Sequence, residues 1–155
     1  MFRWSPKDFK DFLDSRRTAY ANCSIEAYTG AQPADVSLAP TGTLLGRFTL
    51  GGLPWAHGAA TNGLNFDVPV VTSASVKMTK VPAEDWRFKC DVAGTIGWCR
   101  IVANPADAGA VSLTNNRIDI SVGISSGDLQ IPKLTYAIGE QASVTICEIE
   151  VLNAA

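Results

Sequence analysis

The chain has 155 residues, of which 46% are hydrophobic and 18% are charged, and its 13 basic and 15 acidic residues leave a net charge of −2. This length suits one domain that buries most of the surface its unfolded form would expose, and the composition excludes a disordered chain. Nucleic-acid binders normally show a basic excess or a basic stripe, and the sequence has neither. No segment approaches the ~18 consecutive apolar residues of a membrane-spanning helix. We therefore expect neither nucleic acid nor membrane as a partner.

The first residues predict a short amphipathic helix. Ser5 is a suitable N-cap, Pro6 suits the first helical position, and Asp8 completes an approximate capping box. The segment contains acidic residues and lacks both an apolar stretch and a small-residue cleavage site. These features argue against a signal peptide, so we expect the chain to start out in a cytoplasm.

The same segment is unusually aromatic. Phe9, Phe12 and Leu13 recur at helical spacing and form one narrow apolar stripe, and Phe2 and Trp4 stand just before it. Two interpretations remain open at this point. The stripe packs back on its own domain, or it docks on a neighbouring subunit.

Beyond the helix, the hydrophobic pattern changes to the period of two that is typical of strands. Strand-like runs, separated by turns rich in glycine and proline, lie at 23–29, 43–50, 67–80, 85–92, 95–103, 117–124 and 142–152. In the first run, alternation predicts a half-buried strand. In the last run, Cys147, Ile149 and Val151 share the side that stays apolar, so that side should face the core. Pro69 places part of its run at a sheet edge, and Gly94 should lie in the turn of a hairpin.

Short strands separated by frequent turns, without long helices between them, predict an all-β fold. We expect a single antiparallel β-sandwich or jelly-roll-like domain at 21–155, preceded by an N-terminal amphipathic arm at 1–20.

The cysteines predict buried thiols rather than a disulfide framework. Cys23, Cys99 and Cys147 each lie inside a strand-like run, and a chain of this length does not need disulfides. A Cys90–Cys99 bridge is the best disulfide alternative, since the residues between them could form a turn.

The sequence has neither a Walker-type loop nor a strand-linked GxGxxG motif for phosphate binding, and it has no CxxC pair and no DxDxDG-type loop for a metal ion. The single histidine, His57, lies in a Gly/Ala-rich loop, and we expect it to be structural or exposed. Glu148 and Glu150 share one strand face and should face water, and Asp107 and Asp128 suit turns. We therefore expect no enzymatic activity, no cofactor and no metal site.

The tryptophans fall into two groups. Trp86 and Trp98 lie in strand-like runs and should anchor the core. Trp55 lies in a loop and is a candidate contact residue.

Several segments, taken in chain order, resemble a family of small structural proteins of tailed-bacteriophage virions. They are Tyr28–Asp35, Thr41–Leu45, Asn62–Leu64, Gly94–Ile101, Val122–Gly123, Ser126–Leu129, and Gly139 with Val144–Ile146. Two positions depart from the family's pattern: Cys99 stands where an aromatic residue is usual, and Ile96 where a small one is. The resemblance runs from about Cys23 to the end of the chain.

This resemblance implies a non-enzymatic virion protein with an all-β domain, made in the cytoplasm of the bacterial host. The first hypothesis is a capsid decoration or cement protein that binds the major capsid protein or other virion proteins as a homo-oligomer, with a trimer favoured. Phe2, Trp4, Phe9 and Phe12 are then the candidate interface, because aromatic residues dominate interface energetics. The alternative is a tail or adhesion module, present in few copies, that binds the host surface through exposed aromatic and polar loop residues around a concave patch, Trp55 and His57 among them.

Overall fold

The computed structural model describes residues 5–152 and shows a mostly β protein with one short helix. The helix, α1, is Pro6–Ala19. The strands, in chain order, are β1 Ser24–Tyr28, β2 Leu44–Leu50, β3 Val70–Val71, β4 Ser75–Thr79, β5 Trp86–Cys90, β6 Gly94–Thr95, β7 Trp98–Val102, β8 Arg117–Ile120, β9 Val122–Gly123, β10 Leu129–Gln130, β11 Thr135–Tyr136, β12 Gln141–Ser143 and β13 Ile146–Leu152. The all-β prediction is confirmed at this level.

The largest sheet has the strand order β12-β5-β2-β1-β7-β8, and all its pairings are antiparallel. β1 is central: Ile25 pairs with Phe48 of β2 on one side and with Ile101 of β7 on the other. The two longest segments that carry the family resemblance meet in this sheet at one pair, Tyr28 with Trp98, and the rest of Tyr28–Asp35 is loop.

The prediction of a hairpin around Gly94 is wrong, because β5 and β7 do not pair with each other. β5 and β7 lie in the same sheet, but β2 and β1 separate them, and the register aligns Cys90, Gly46, Ala27 and Cys99 across the four strands. The residues between β5 and β7 form β6, which pairs with β11, so the connection crosses over instead of turning back. Three strand spacings put the two cysteines about 14 Å apart, which rules out the Cys90–Cys99 disulfide alternative.

A second sheet has the order β3-β4-β13-β10-β9, in which β9 and β10 are parallel and the other pairs antiparallel. Its edge strand β3 follows Pro69, which confirms the edge position predicted for that proline. In β13, Cys147 is buried, and Ile149 and Val151 pack against the core. The predicted orientation of this strand is confirmed.

The run 117–124 is divided between the two sheets. β8 ends at Ile120 in the larger sheet, and β9 begins at Val122 in the smaller one. At Ser121 the backbone N–H and the hydroxyl both donate to the Asp128 carboxylate, at 2.8 and 2.7 Å. This side-chain cap takes the place of a strand partner and turns the chain from one sheet into the other.

Both large sheets contribute to one hydrophobic core. Phe48, Trp86 and Phe88 come from the larger sheet and Met78 from the smaller one, and all four are fully buried. The half-buried strand predicted for 23–29 is wrong in one respect: every residue of β1 is buried, because loops cover its polar side as well.

The predicted helix is confirmed in detail. The Ser5 side chain accepts a hydrogen bond from the Asp8 N–H, and the Asp8 carboxylate accepts from the Ser5 N–H. Helix α1 packs on β3 and β4. Leu13 enters the core with 1% exposure, Phe9 packs partly against the core, and Phe12 remains 46% exposed.

The four cysteines are free thiols buried in the structure, and their predicted burial is confirmed. Burial raises the pKa of the Cys23, Cys99 and Cys147 thiols above its ordinary value. They therefore act as small apolar side chains near neutral pH.

Candidate interaction surface

A buried ion pair lies on the polar face of the larger sheet. Arg100 on β7 stands opposite Asp119 on β8, and its Nε and Nη2 donate to the two carboxylate oxygens at 2.5 and 2.8 Å. The two side chains are only 1% and 4% exposed. Such a bidentate pair satisfies both charges and fixes the geometry of both side chains.

A second buried pair joins the start of β8 to the loop before it. Arg117 donates to the Asp107 carboxylate at 2.5 and 2.6 Å, and the side chains are 2% and 7% exposed. Hydrogen bonding from Arg117 lowers the pKa of Asp107 to about 2 and raises that of Arg117.

Glu26 lies next to these pairs, at the centre of the sheet. It accepts hydrogen bonds from Arg47 at 2.8 Å and from the Tyr28 hydroxyl at 2.6 Å. The ring of Tyr28 stacks on Trp98 at 4.8 Å. Trp98, predicted as a core anchor, is buried, but on this polar face rather than in the main core.

The arginines also hold two loops onto the sheet. Arg100 donates to the Leu38 carbonyl at 2.9 Å, and Arg117 donates to the Ala110 carbonyl at 2.8 Å. The two loops contact each other through Ser112 N–H and the Ser37 carbonyl, at 2.9 Å. The charges are thus paired with one another, and their structural effect is to fix the shapes of loops 29–43 and 103–116.

The Asp107–Arg117 pair predicts an acid-sensitive stability. The folded-state pKa of Asp107 is about 2, below the ordinary value of 3.8. The pair therefore stabilises the fold above about pH 4, by an amount on the order of 2 kcal/mol, and this contribution is lost as pH falls through 2.

Urea unfolding at pH 6 and pH 2 tests this expectation. Asp107→Asn should be destabilised at pH 6 and approach the wild type at pH 2. An equal difference between the two proteins at both pH values would contradict it.

Apolar side chains are exposed on both sides of the edge strand β8. On one side, a groove of 480 Å³ between α1 and the loop 112–116 is lined by Phe12, Leu113 and Ile118. On the other side, a shallower groove of 300 Å³ is lined by Val36 and again by Ile118. Leu113 is 91% exposed, Phe12 46% and Val36 40%. We call Phe12, Val36, Leu113 and Ile118 the apolar edge surface.

The structure brings only part of the predicted interface together. Phe12 belongs to the apolar edge surface, whereas Phe9 packs partly against the core. Phe2 and Trp4 lie outside the described residues. Trp55 lines a different depression and is partly buried, with its Nε1 donating to the Asn22 carbonyl at 3.1 Å.

The remaining polar candidates have structural partners. The His57 and Trp55 rings form a T-shaped pair with their centroids 5.0 Å apart, and the His57 Nδ1 lies 3.2 Å from the Asn104 carbonyl oxygen. Glu148 and Glu150 are about one-third exposed, as predicted, and both contact Lys77, at 2.8 and 3.5 Å.

Leu113 is the main member of the surface that the sequence analysis missed. It lies in a Gly/Ser/Thr/Asn-rich stretch outside any periodic run. The signal that could have identified Leu113 is a large apolar residue in a polar turn segment that has neither the helix nor the strand period of apolar residues.

Within residues 5–152, no helix is long and apolar enough to cross a membrane, and no group of three or more His, Cys, Asp or Glu side chains is placed to hold a metal ion. No model of a protein family, no curated protein and no solved structure matches the chain.

Proposed function

We propose that the chain is a structural protein of a phage virion that decorates the head and stabilises it through protein–protein contacts. The observation that carries this proposal is the apolar edge surface, on which Leu113 is 91% and Phe12 46% exposed. Clustered exposed apolar residues mark interaction sites in proteins. The sequence resemblance supports the phage context.

The loops beside this surface are suited to rigid binding. The Arg100–Asp119 and Arg117–Asp107 pairs fix them before any partner arrives. A preordered surface loses little conformational entropy on binding, so more of the contact energy appears as affinity. A standard interface buries about 1,600 Å² in total, and repetition of such a contact over a capsid stabilises the shell.

The partners in this proposal are the major capsid protein and further copies of the chain, with the virion as the final location. Phe12 is the part of the aromatic arm that we assign to the interface, and Phe2 and Trp4 precede it in the sequence. The role involves no catalysis and no cofactor. A core shared by the two larger sheets supports an antiparallel sandwich, and a jelly-roll-like topology is part of the same proposal.

One observation favours a second candidate, the host-binding adhesion module. Trp55 lines a depression of 210 Å³ together with Arg47, Lys89 and Asp91. An aromatic ring beside charged groups is a suitable lining for a polar ligand such as a glycan.

Copy number per virion tests the first proposal and separates it from the second. A decoration protein is expected at hundreds of copies per particle, whereas an adhesion module at the tail is expected at a handful.

A further inference from the structure

The groove between α1 and the loop 112–116 combines an apolar lining with positive charge. Buried Leu13 and Met78 line it, and so does Leu113, which is 91% exposed. Arg16 lines the groove as well, and no acidic residue is among the described residues that line it. The groove is therefore complementary to a ligand that carries both apolar groups and a negative charge.

The two arginines of the groove differ in what neutralises them. Arg117 is bound bidentately by the Asp107 carboxylate. Among the described residues, the Arg16 guanidinium donates only to the Asn116 side-chain oxygen, at 3.3 Å, and its buried Nε meets no acceptor. A buried donor without an acceptor is costly, and a carboxylate that accepts from it removes that cost.

The atoms of Arg16 that lack an acceptor are those with which Arg100 binds Asp119. Arg100 holds that carboxylate through its Nε and Nη2, at 2.5 and 2.8 Å. Arg16 presents the same edge of its guanidinium, because its contact with Asn116 uses Nη1. A carboxylate fits this edge bidentately.

Tyr20 adds a second donor beside Arg16. Phe12, Arg16 and Tyr20 recur every four residues, so they share one face of α1, and the Arg16 Cζ lies 5.5 Å from the centre of the Phe12 ring. Burial raises the pKa of Tyr20 and the charge of Arg16 opposes this rise, which indicates that the two groups are close. Tyr20 is 1% exposed, and its hydroxyl forms no hydrogen bond with a described residue.

We propose that this groove binds a peptide segment of a partner protein in which a carboxylate side chain stands next to bulky apolar side chains. The carboxylate accepts from Arg16 and Tyr20, and the apolar side chains pack on Phe12 and Leu113. This inference deepens the proposed function, and it rests on that function for the identity of the partner as a protein of the virion.

The exposed apolar side chains favour a peptide over a small amphipathic acid. A fatty acid offers the same carboxylate and an apolar chain. One acyl chain seated beside Arg16 would leave much of Leu113 and Phe12 in water, although these side chains are 91% and 46% exposed. A protein segment covers both of them and also offers its backbone groups to Thr114 and Asn116, which line the groove.

Selection from a peptide library on the full-length chain tests the class of ligand. The probe is a library of random peptides of about 12 residues. The expected result is enrichment of peptides in which Asp or Glu stands next to a bulky apolar residue. Enrichment of peptides without an acidic residue, or of none at all, would overturn the proposal. Dodecanoate alone is the probe for a small acid, and its binding without enrichment of any peptide would assign the groove to that class instead.

Calorimetric titration then tests the contact between the carboxylate and Arg16. An enriched peptide is compared with a counterpart in which its acid is replaced by the amide, on the wild type and on Arg16→Gln. Loss of either group should weaken binding at least about tenfold, and loss of both should weaken it little further, because they form one contact. Additive losses would contradict that contact.

Arg17→Gln is the matched control. It removes the same charge from the same helix, but Arg17 pairs with Asp14 at 2.7 Å and is not among the described residues that line the groove. The expected affinity for the acidic peptide is that of the wild type. An equal effect of both arginine substitutions would attribute binding to net charge and overturn the assignment to the groove.

Tyr20→Phe tests the second donor without removing the buried ring. Its melting temperature should stay close to that of the wild type, because the hydroxyl bonds to no described residue. Binding of the acidic peptide should weaken by about threefold to tenfold, whereas binding of the amide counterpart should change less. Unchanged affinity for the acidic peptide would remove Tyr20 from the site.

Sedimentation of the chain alone tests the remaining occupant. Self-association that Arg16→Gln abolishes would identify a second copy in the groove and overturn the assignment to a partner protein. The inference and the proposed function can fail separately. A chain abundant in virions that selects no acidic peptide would refute the inference alone, and acid-selective binding by a chain absent from virions would refute the proposed function alone.

Discussion

Replacing Arg100 by methionine is expected to lower the free energy of unfolding by about 3–5 kcal/mol. The cause is the partner left behind: Asp119 is 4% exposed and would keep a buried carboxylate without its bidentate donor. The same substitution removes the hydrogen bond to the Leu38 carbonyl. We therefore expect the loop 29–43 to loosen, and proteolysis within it to become faster than in the wild type.

Urea unfolding at neutral pH measures this loss, and two further variants interpret it. Arg100→Met combined with Asp119→Leu removes both charges and should recover much of the stability. Lys133→Met breaks an exposed pair with Glu140, whose side chains are 49% and 42% exposed, and should cost no more than about 1 kcal/mol. A double variant as unstable as Arg100→Met alone would show that the cost does not come from the unpaired carboxylate.

Leu13→Ala is expected to cost about 2–5 kcal/mol, because a buried leucine leaves a cavity where α1 meets the core. Its neighbour Phe12 is 46% exposed, so Phe12→Ala should change stability by less than about 1 kcal/mol. The two variants separate the two interpretations of the aromatic stripe, since one residue supports the fold and the other faces outward.

Thermal unfolding and capsid occupancy are the paired measurements for these variants. We expect Phe12→Ala to keep its melting temperature and to bind capsids with reduced occupancy. Full occupancy by a stably folded Phe12→Ala would remove Phe12 from the interface. Deletion of the whole arm is less informative, because it removes Leu13 and Phe12 together.

Local patterns in the sequence predicted the elements well. The capping box at Ser5 and Asp8 depends on residues three apart, and the orientation of β13 follows from alternation along one strand. The order of strands was not predictable in the same way. Only the two-residue strand β6 lies between β5 and β7 along the chain, yet β2 and β1 separate them in the larger sheet, because sheet order depends on contacts between distant residues.

The candidate site was less predictable than the fold for the same reason. Polar residues at alternate positions of β1 indicate a solvated face, and only the three-dimensional structure shows that Arg100 and Arg117 hold loops over it. Phe12 was predicted from helical spacing. Leu113 belongs to no periodic run, and its position beside Phe12 results from how the loop before β8 returns to the helix.

The number of copies per particle tests the central claim most directly. The proposal implies a phage that encodes the chain, and its purified virions would be digested and quantified with isotope-labelled peptide standards for this chain and for the major capsid protein. The decoration role predicts hundreds of copies, in a fixed ratio to the major capsid protein. A handful of copies would favour the adhesion module, and absence of the chain from purified particles would contradict a virion role altogether.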